Sequence, residues 1–263
     1  MTSLAYTLTD SATMLRRQLR HIQRYPSLTG MLIGLPVVLL LLFVYVFGGT
    51  LGAGLAGGSG DRGAYLNYLV PGILLFTATS AAQGTAISVA MDMTEGIIDR
   101  FRTMAISRAS VLTGHVLGSL VQTMLGFAVV LGVSLAIGFR PNATAIEWLA
   151  AVGMFAAIAF ALIWLSVALG LVSDSVETAS NLPMFLTLLP FLGSGFVPTD
   201  TMPAGLRWFA DFQPFTPVIE TLRGLLLGSG IGSSAVVALA WCVVAALLSY
   251  LWAKRSFNRR AAR

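Results

Sequence analysis

The chain has one cysteine, one lysine and two histidines in 263 residues, and only 10% of its residues are charged. Each shortage excludes a class of function. The lone Cys242 allows no intrachain disulfide and no cysteine-based zinc site, and its place in an apolar run marks it as packing. His21 and His115 are too few for a metal cluster with recognisable ligand spacing, and both read as structural. The single lysine, Lys254, follows Trp252 and Ala253 and precedes Arg255, whereas a P-loop needs a glycine-rich turn leading into Lys and then Ser or Thr. ATP used by this protein therefore has to be hydrolysed on another polypeptide. A charged fraction of 10% compares with about 25% in soluble domains and excludes an ordinary water-soluble fold. The sixteen basic residues form no stripe with interleaved aromatics, so the net charge of +5 is no nucleic-acid footprint.

What the sequence has in abundance is apolar length. Hydrophobic residues make up 56% of it. Six stretches are free of Asp, Glu, Lys and Arg and long enough to cross a bilayer, which takes about 20 mostly apolar residues. They run from Tyr25 to Gly60, Gly63 to Met91, Ala109 to Phe139, Trp148 to Ser173, Thr178 to Thr199, and Gly224 to Ala253. The first is too long to be all membrane. Its end, Gly48 to Gly60, holds seven glycines in thirteen residues, so the helix is expected to stop near Phe47 and give way to an external loop. A secretory signal is the competing reading of this first run, but Met31 to Phe47 exceeds the usual 7 to 15 apolar residues of a signal.

Basic residues set the orientation. With the amino terminus inside, the cytoplasmic segments hold twelve of them: Arg16, Arg17, Arg20 and Arg24; Arg100, Arg102 and Arg108; and Lys254, Arg255, Arg259, Arg260 and Arg263. The outer loops hold four, Arg62, Arg140, Arg207 and Arg223. Both termini are expected in the cytoplasm, the chain being a multi-pass protein of the cell's inner membrane. Within the spans the polar content is His115, Gln83, Gln122, Asn181 and scattered hydroxyls. Proton- or sodium-coupled transport usually needs ionisable groups there, so it is disfavoured, as is an intramembrane protease. No convincing internal repeat supports an inverted-repeat transporter.

Three segments outside the spans carry pattern. Leu4, Leu8, Leu15, Leu19 and Ile22 share one helical face, with Arg16, Arg20 and Arg24 on another, which predicts an interfacial amphipathic helix. A basic anchor would explain the arginines equally well but not the apolar period. In Asp92 to Ser110, Ile97, Ile98, Phe101 and Met104 make an apolar stripe beside Glu95, Asp99 and Arg102, predicting a short helix that a solvated connector would not need and a partner protein would. Between the last two stretches, Asp200 to Gly230 is too apolar for a solvated loop and too interrupted by Pro203, Pro214 and Pro217 for a full span. It divides into two short helices in the outer leaflet. Thr201 with Pro203 starts one and Thr216 with Pro217 caps the other. Val218, Leu222, Leu225 and Leu226 form the second helix's apolar face, and Gly228 ends it.

In this order the pieces resemble the type-2 ATP-binding-cassette (ABC) exporter permeases, and in detail their daunorubicin-resistance-type branch. The matching text spans nearly the whole chain: Arg24-Tyr25-Pro26, Val46-Phe47-Gly48-Gly49, Tyr68-Leu69-Val70-Pro71-Gly72, Glu95-Gly96 with Arg102 to Arg108, Pro190-Phe191, Gly195-Phe196-Val197-Pro198, Met202-Pro203, and Pro214-Phe215-Thr216-Pro217 with Glu220, Arg223 and Gly228. Family members often have proline where Ala105 stands and Asn-Pro where this chain has Gln213-Pro214.

The resemblance implies an all-α integral membrane protein in one permease domain, residues 1–263. Residues 1–27 form the interfacial helix, 31–253 a bundle of six transmembrane helices, and 254–263 a basic cytoplasmic tail. It further implies a half-transporter with no catalytic or metal site, pairing with a second permease copy or paralogue and with two copies of an ABC ATPase that bind ATP and Mg. By that analogy Glu95, Ile98, Phe101, Arg102 and Met104 belong to the coupling helix seated in the ATPase, and the second and fifth spans line the route for hydrophobic compounds, drugs or lipids, with Gln83, Phe185, Leu188 and Phe191 along it. Pro203, Pro217, Glu220 and Arg223 belong to the outer-leaflet helices. A permease for a lipid-linked glycan and a non-transporting membrane scaffold remain the alternatives at this stage.

Overall fold

The computed structural model describes Thr13, Arg16 and residues 26–55, 62–95 and 108–260. Among these residues there is no strand. The elements in order are α1 (Pro26–Leu42), a π-turn (Phe43–Phe47), α2 (Gly48–Leu55), α3 (Arg62–Thr94), α4 (Arg108–Ala136), α5 (Ala145–Val172), α6 (Val176–Asn181), α7 (Met184–Leu188), a 3-10 turn (Thr199–Thr201), α8 (Ala204–Phe212), α9 (Phe215–Leu227) and α10 (Ser234–Arg260).

Five helices are long and apolar enough to cross a membrane: Gly30–Ala53, Arg62–Thr94, Leu112–Ala136, Ala145–Val172 and Ser234–Phe257. They are not equivalent. The most apolar windows of α3 and α5 are 72% and 67% buried within the chain, against 17% for the first and last helices. The bundle is thus built around α3 and α5, which pack on each other, with α10 on α5 and α4 on α3. Lipid tails are as apolar as leucine, so close packing rather than hydrophobicity holds such helices together. Small residues allow it. Ala78, Ala82, Ala86 and Ala90 of α3 are fully buried or nearly so, and Gly170 of α5 lies so close that a Cβ there would stand 2.7 Å from the Ala86 carbonyl oxygen and 3.0 Å from the Val89 Cβ. The α3 hydroxyls face inward too and are satisfied locally. Thr77 donates to the Ile73 carbonyl at 2.9 Å, Thr79 to Phe76 at 2.9 Å and Thr85 to Ala81 at 3.1 Å.

Two expectations change here, and the last helix gains exact ends. The first helix does not end at Phe47: it passes through the π-turn and continues as α2 to Leu55. A helical glycine costs about 1 kcal/mol relative to alanine, and packing on the Arg62 end of α3 offsets it. A Cβ on Gly48 would stand 3.2 Å from Arg62 Cγ, while the Arg62 guanidinium sits 5.6 Å from the Tyr45 ring centroid.

The stretch Thr178 to Thr199 is no continuous helix. It folds as α6, α7 and a run of turns, because Pro183 and Pro190 remove amide donors and Gly193 and Gly195 follow. The last long helix begins at Ser234, just after the Asp200 to Gly230 segment expected to precede it. Gly228, at φ 66°, ends α9 in the left-handed region that glycine favours. Lastly, the basic segment from Lys254 continues that last helix as far as Arg260.

The broken segment follows α3 in the opposite direction. Gln83 Nε2 donates to the Ser180 carbonyl at 2.9 Å, and a Cβ built on Gly72 would overlap the backbone of Gly195. From Gln83 to Gly72 the contact covers about 16 Å of helix axis at about 1.5 Å per residue.

The tightest of these contacts gives a test. Gly72→Ala should cost about 1–3 kcal/mol through overpacking and lower the melting temperature in detergent. At Gly153 a Cβ meets nothing within 4 Å, so Gly153→Ala should be neutral or raise it. Equal melting temperatures for the two variants would refute the close α3 contact.

Candidate functional site

Polar groups gather at the two ends of α3. At the Arg62 end, the seam between α3, the turn before Val197, and α9 is closed by one cation. Arg223 of α9 donates from Nη2 to the Ser194 carbonyl at 2.6 Å and to the Tyr68 carbonyl at 3.2 Å. Its guanidinium carbon lies 3.8 Å from the Tyr68 ring centroid, a cation–π contact. Burial pulls the arginine pKa down from its ordinary value, and Tyr68 and Glu220 push it back up.

Around this contact Thr216 accepts from the Ser194 amide at 3.3 Å and donates to the Ala210 carbonyl at 2.6 Å, joining the turn to the end of α8. Thr216 therefore does not cap α9, which starts one residue earlier at Phe215 with Pro214 in the cap position. The expected apolar face is correct: Val218, Leu222, Leu225 and Leu226 are all buried. Ser194 and Gln213 are 3% and 5% exposed, yet Ser194 Oγ, both side-chain polar atoms of Gln213, and Arg223 Nε have no hydrogen-bond partner among the described residues.

The other residues expected in the outer-leaflet helices divide by environment. Pro203 occupies the cap position of α8, and Pro217 is buried in the first turn of α9. Glu220 is exposed and accepts from Ser234 Oγ at 3.2 Å. On α8, Trp208 and Phe212 are exposed with ring centroids 5.1 Å apart, while Arg207 and Asp211 form an exposed pair at 3.7 Å.

The residues expected along a substrate route are not brought together. Gln83 is half-buried and held by Ser180, beside an open groove of about 390 Å³ lined by Ile87, Val176, Glu177, Ser180 and Asn181. Phe191 turns into the core, stacked on Phe196 at 4.1 Å and edge-on to Phe76 at 5.4 Å. Phe185 and Leu188 face outward, 71% and 45% exposed, beside exposed Leu182, Met184 and Leu192.

At the Thr94 end of α3, His115 Nε2 lies 3.0 Å from Asp92 Oδ2, the two being 3% and 13% exposed. The sequence reading singled out His115 but stopped the second span at Met91, just short of its partner. Among the described residues no three His, Cys, Asp or Glu side chains converge in a way that could hold a metal. Of the expected coupling residues, Glu95 is described, exposed at the end of this helix; Ile98, Phe101, Arg102 and Met104 lie outside the described residues. Arg16 is helical and exposed, and Arg20 and Arg24 lie outside them.

Comparison with known proteins places these features. The family model for ABC-2 type transporters matches residues 10–227. Over 246 residues the chain is 26% identical to the daunorubicin resistance ABC transporter permease protein DrrB1 of Streptomyces coeruleorubidus, covering 93% of this chain and 84% of that one. It is 25% identical over 215 residues to the probable doxorubicin resistance ABC transporter permease protein DrrC of two Mycobacterium tuberculosis strains, covering 80% of this chain and 77% of theirs.

The buried histidine gives a stability test. His115→Leu removes a buried hydrogen bond and should cost about 1–3 kcal/mol, while His115→Gln, which keeps a donor, should cost less. Thermal unfolding in detergent measures both. A leucine variant as stable as wild type would mean that the pair contributes nothing. A multi-pass helical chain, with the match covering more than three-quarters of it, is a member of the ABC-2 type transporter permease family.

Proposed function

We propose that the chain is the membrane-spanning subunit of an ATP-driven exporter that moves hydrophobic or amphipathic compounds, drugs or lipids, out of the cytoplasm or inner leaflet. The observation that carries this is a helical membrane domain of the ABC-2 family, related over most of its length to drug-resistance permeases, whose only lysine lies outside any P-loop. ATP and Mg belong to two copies of a separate ATPase. Five regular helices and the broken segment 176–197 make six crossings, and the excess of arginine in the odd-numbered inner segments puts both termini in the cytoplasm. The broken segment supports this count, since it runs antiparallel to α3 between Ser180 and Gly195.

A second permease copy or paralogue covers the outward face carrying Phe185 and Leu188, so that route residues lie at the junction of two protomers. The segment from Glu95 to Met104 seats in the ATPase, and the basic amino-terminal segment with Arg16, Arg20 and Arg24 lies along the headgroups of anionic lipid. ATP-driven approach of the two ATPases then shifts the spans between inward- and outward-open populations.

Co-purification in detergent with the ATPase encoded beside this chain tests the reading. Wild type should retain the ATPase. Glu95→Ala combined with Phe101→Ala should reduce recovery at least about tenfold, as expected when an interface anchor is truncated. Folded wild-type protein that captures no ATPase would remove the energy source and leave a non-transporting scaffold as the better reading.

A further inference from the structure

We propose that Arg223 is the latch of the outer gate, holding the turn at Ser194 against Tyr68 of α3 in the resting state and releasing it when the route opens outward. The inference rests on the exporter reading and on the orientation given above. Three observations carry it.

The first is connectivity. One side chain from α9 bonds the carbonyls of Ser194 and Tyr68 at 2.6 and 3.2 Å and stacks on the Tyr68 ring, so it ties α9, the turn and α3 together. Bonds to a guanidinium are stronger than neutral ones, and its planar fork can serve two acceptors at once.

The second is the seam beneath it. Gly72 and Gly195 bring two backbones into direct contact with no side chain between them. No side chain interdigitates where Gly72 meets Gly195, so there the latch adds to backbone contact, while Thr216 ties the Ser194 amide to α9 at 3.3 Å and Phe191 packs edge-on against Phe76 of α3.

The third is the unsatisfied polar atoms already buried there, Ser194 Oγ, Gln213 Nε2 and Oε1, and Arg223 Nε. Buried groups without partners cost free energy in the closed state, and water repays it when the seam opens. A passive structural joint would be better satisfied. This one is held shut by a strong pin across a surface that gains by being wetted.

The test is the accessibility of Ser194→Cys, a near-isosteric change, in a Cys242→Ser background, with a membrane-impermeant maleimide added outside intact cells that also express the partner ATPase. In the resting state labelling should be slow. Arg223→Gln should raise its rate at least about tenfold, the change expected when a hydrogen bond to a charged group is lost from a buried site. Arg223→Lys, keeping the charge without the fork, should fall between. Tyr68→Leu, which removes the ring and keeps the carbonyl, should also raise it, and it serves if the arginine variants fail to fold. Wild-type labelling should rise when the ATPase is turning over and fall back when ATP is depleted.

If neither Arg223→Gln nor Tyr68→Leu labels faster than wild type, the latch is overturned, and ATP-dependent drug efflux by the wild type, measured in parallel, shows that the exporter reading survives. If the variants label faster but the wild type shows neither ATP-dependent labelling nor efflux, the exporter reading falls and the gate falls with it.

Discussion

A chain that crosses hydrocarbon cannot leave peptide groups unpaired, so irregular backbone at membrane depth is tolerated only against protein or a wet cavity. In the proposed six-crossing topology that condition explains the layout of this fold. The segment from Val176 to Val197 has proline at 183 and 190 and glycine at 193 and 195, and cannot be one regular helix. It therefore needs a neighbour along its length, and α3 is that neighbour, meeting it from Ser180 near one end to Gly195 near the other. The alanine-rich interior of α3 follows from the same demand, since α3 must also accept α4 and α5 at close range. The two outermost helices, α1 and α10, carry no such duty and keep apolar residues exposed along most of their length.

How much of this could be read from the amino acids depends on the scale of the feature. Membrane class and the positions of the long helices follow from apolar length alone, since about 20 residues are needed whatever they pack against. The left-handed end of α9 at Gly228 was also legible, because glycine's lack of a Cβ is a local property. So was one signal the sequence reading passed over. Thr144 followed by Glu147 has capping-box spacing, and in the structure Glu147 accepts from the Thr144 amide at 2.7 Å and the Thr144 hydroxyl accepts from the Glu147 amide at 3.4 Å.

The failures are tertiary. Glycines 48, 49 and 52 look like a loop in isolation yet are helical, with Arg62, itself over the Tyr45 ring, packed beside Gly48. Thr216 has the residue type and the following proline of a helix cap, yet Ser194, 22 residues upstream, claims its hydroxyl oxygen. Arg223 looked like one more outer-loop charge in the orientation count. That its guanidinium is spent on two carbonyls and a ring is a fact about Tyr68 and Ser194, which no local pattern links to it. Likewise Phe191 and Phe185 are six residues apart and equally apolar, but the turns after Leu188 send one into the core and leave the other outside.

Two of the polar contacts on α3 stand far apart along it, with the Gln83–Ser180 bond between them. Tyr68 and Asp92 are separated by about 36 Å of helix at about 1.5 Å per residue, and each is tied to a different neighbour, α9 through Arg223 and α4 through His115. A helix packed as tightly as α3 responds to force by tilting, by sliding or by bending at its interior Pro71, because its other contacts have discrete arrangements and little give. In the proposed exporter a displacement of α4 would reach α3 at Asp92 through His115, and through α3 the seam where Gly72 meets Gly195. Coupling between distant sites requires an element with two arrangements that both sites bias. In this chain the turn at Ser194 has glycine on both sides and is held from α9 by Arg223 and Thr216, and of these only Arg223 also bonds α3 at Tyr68, so in the proposed gate a movement of α3 acts on the turn through that one side chain.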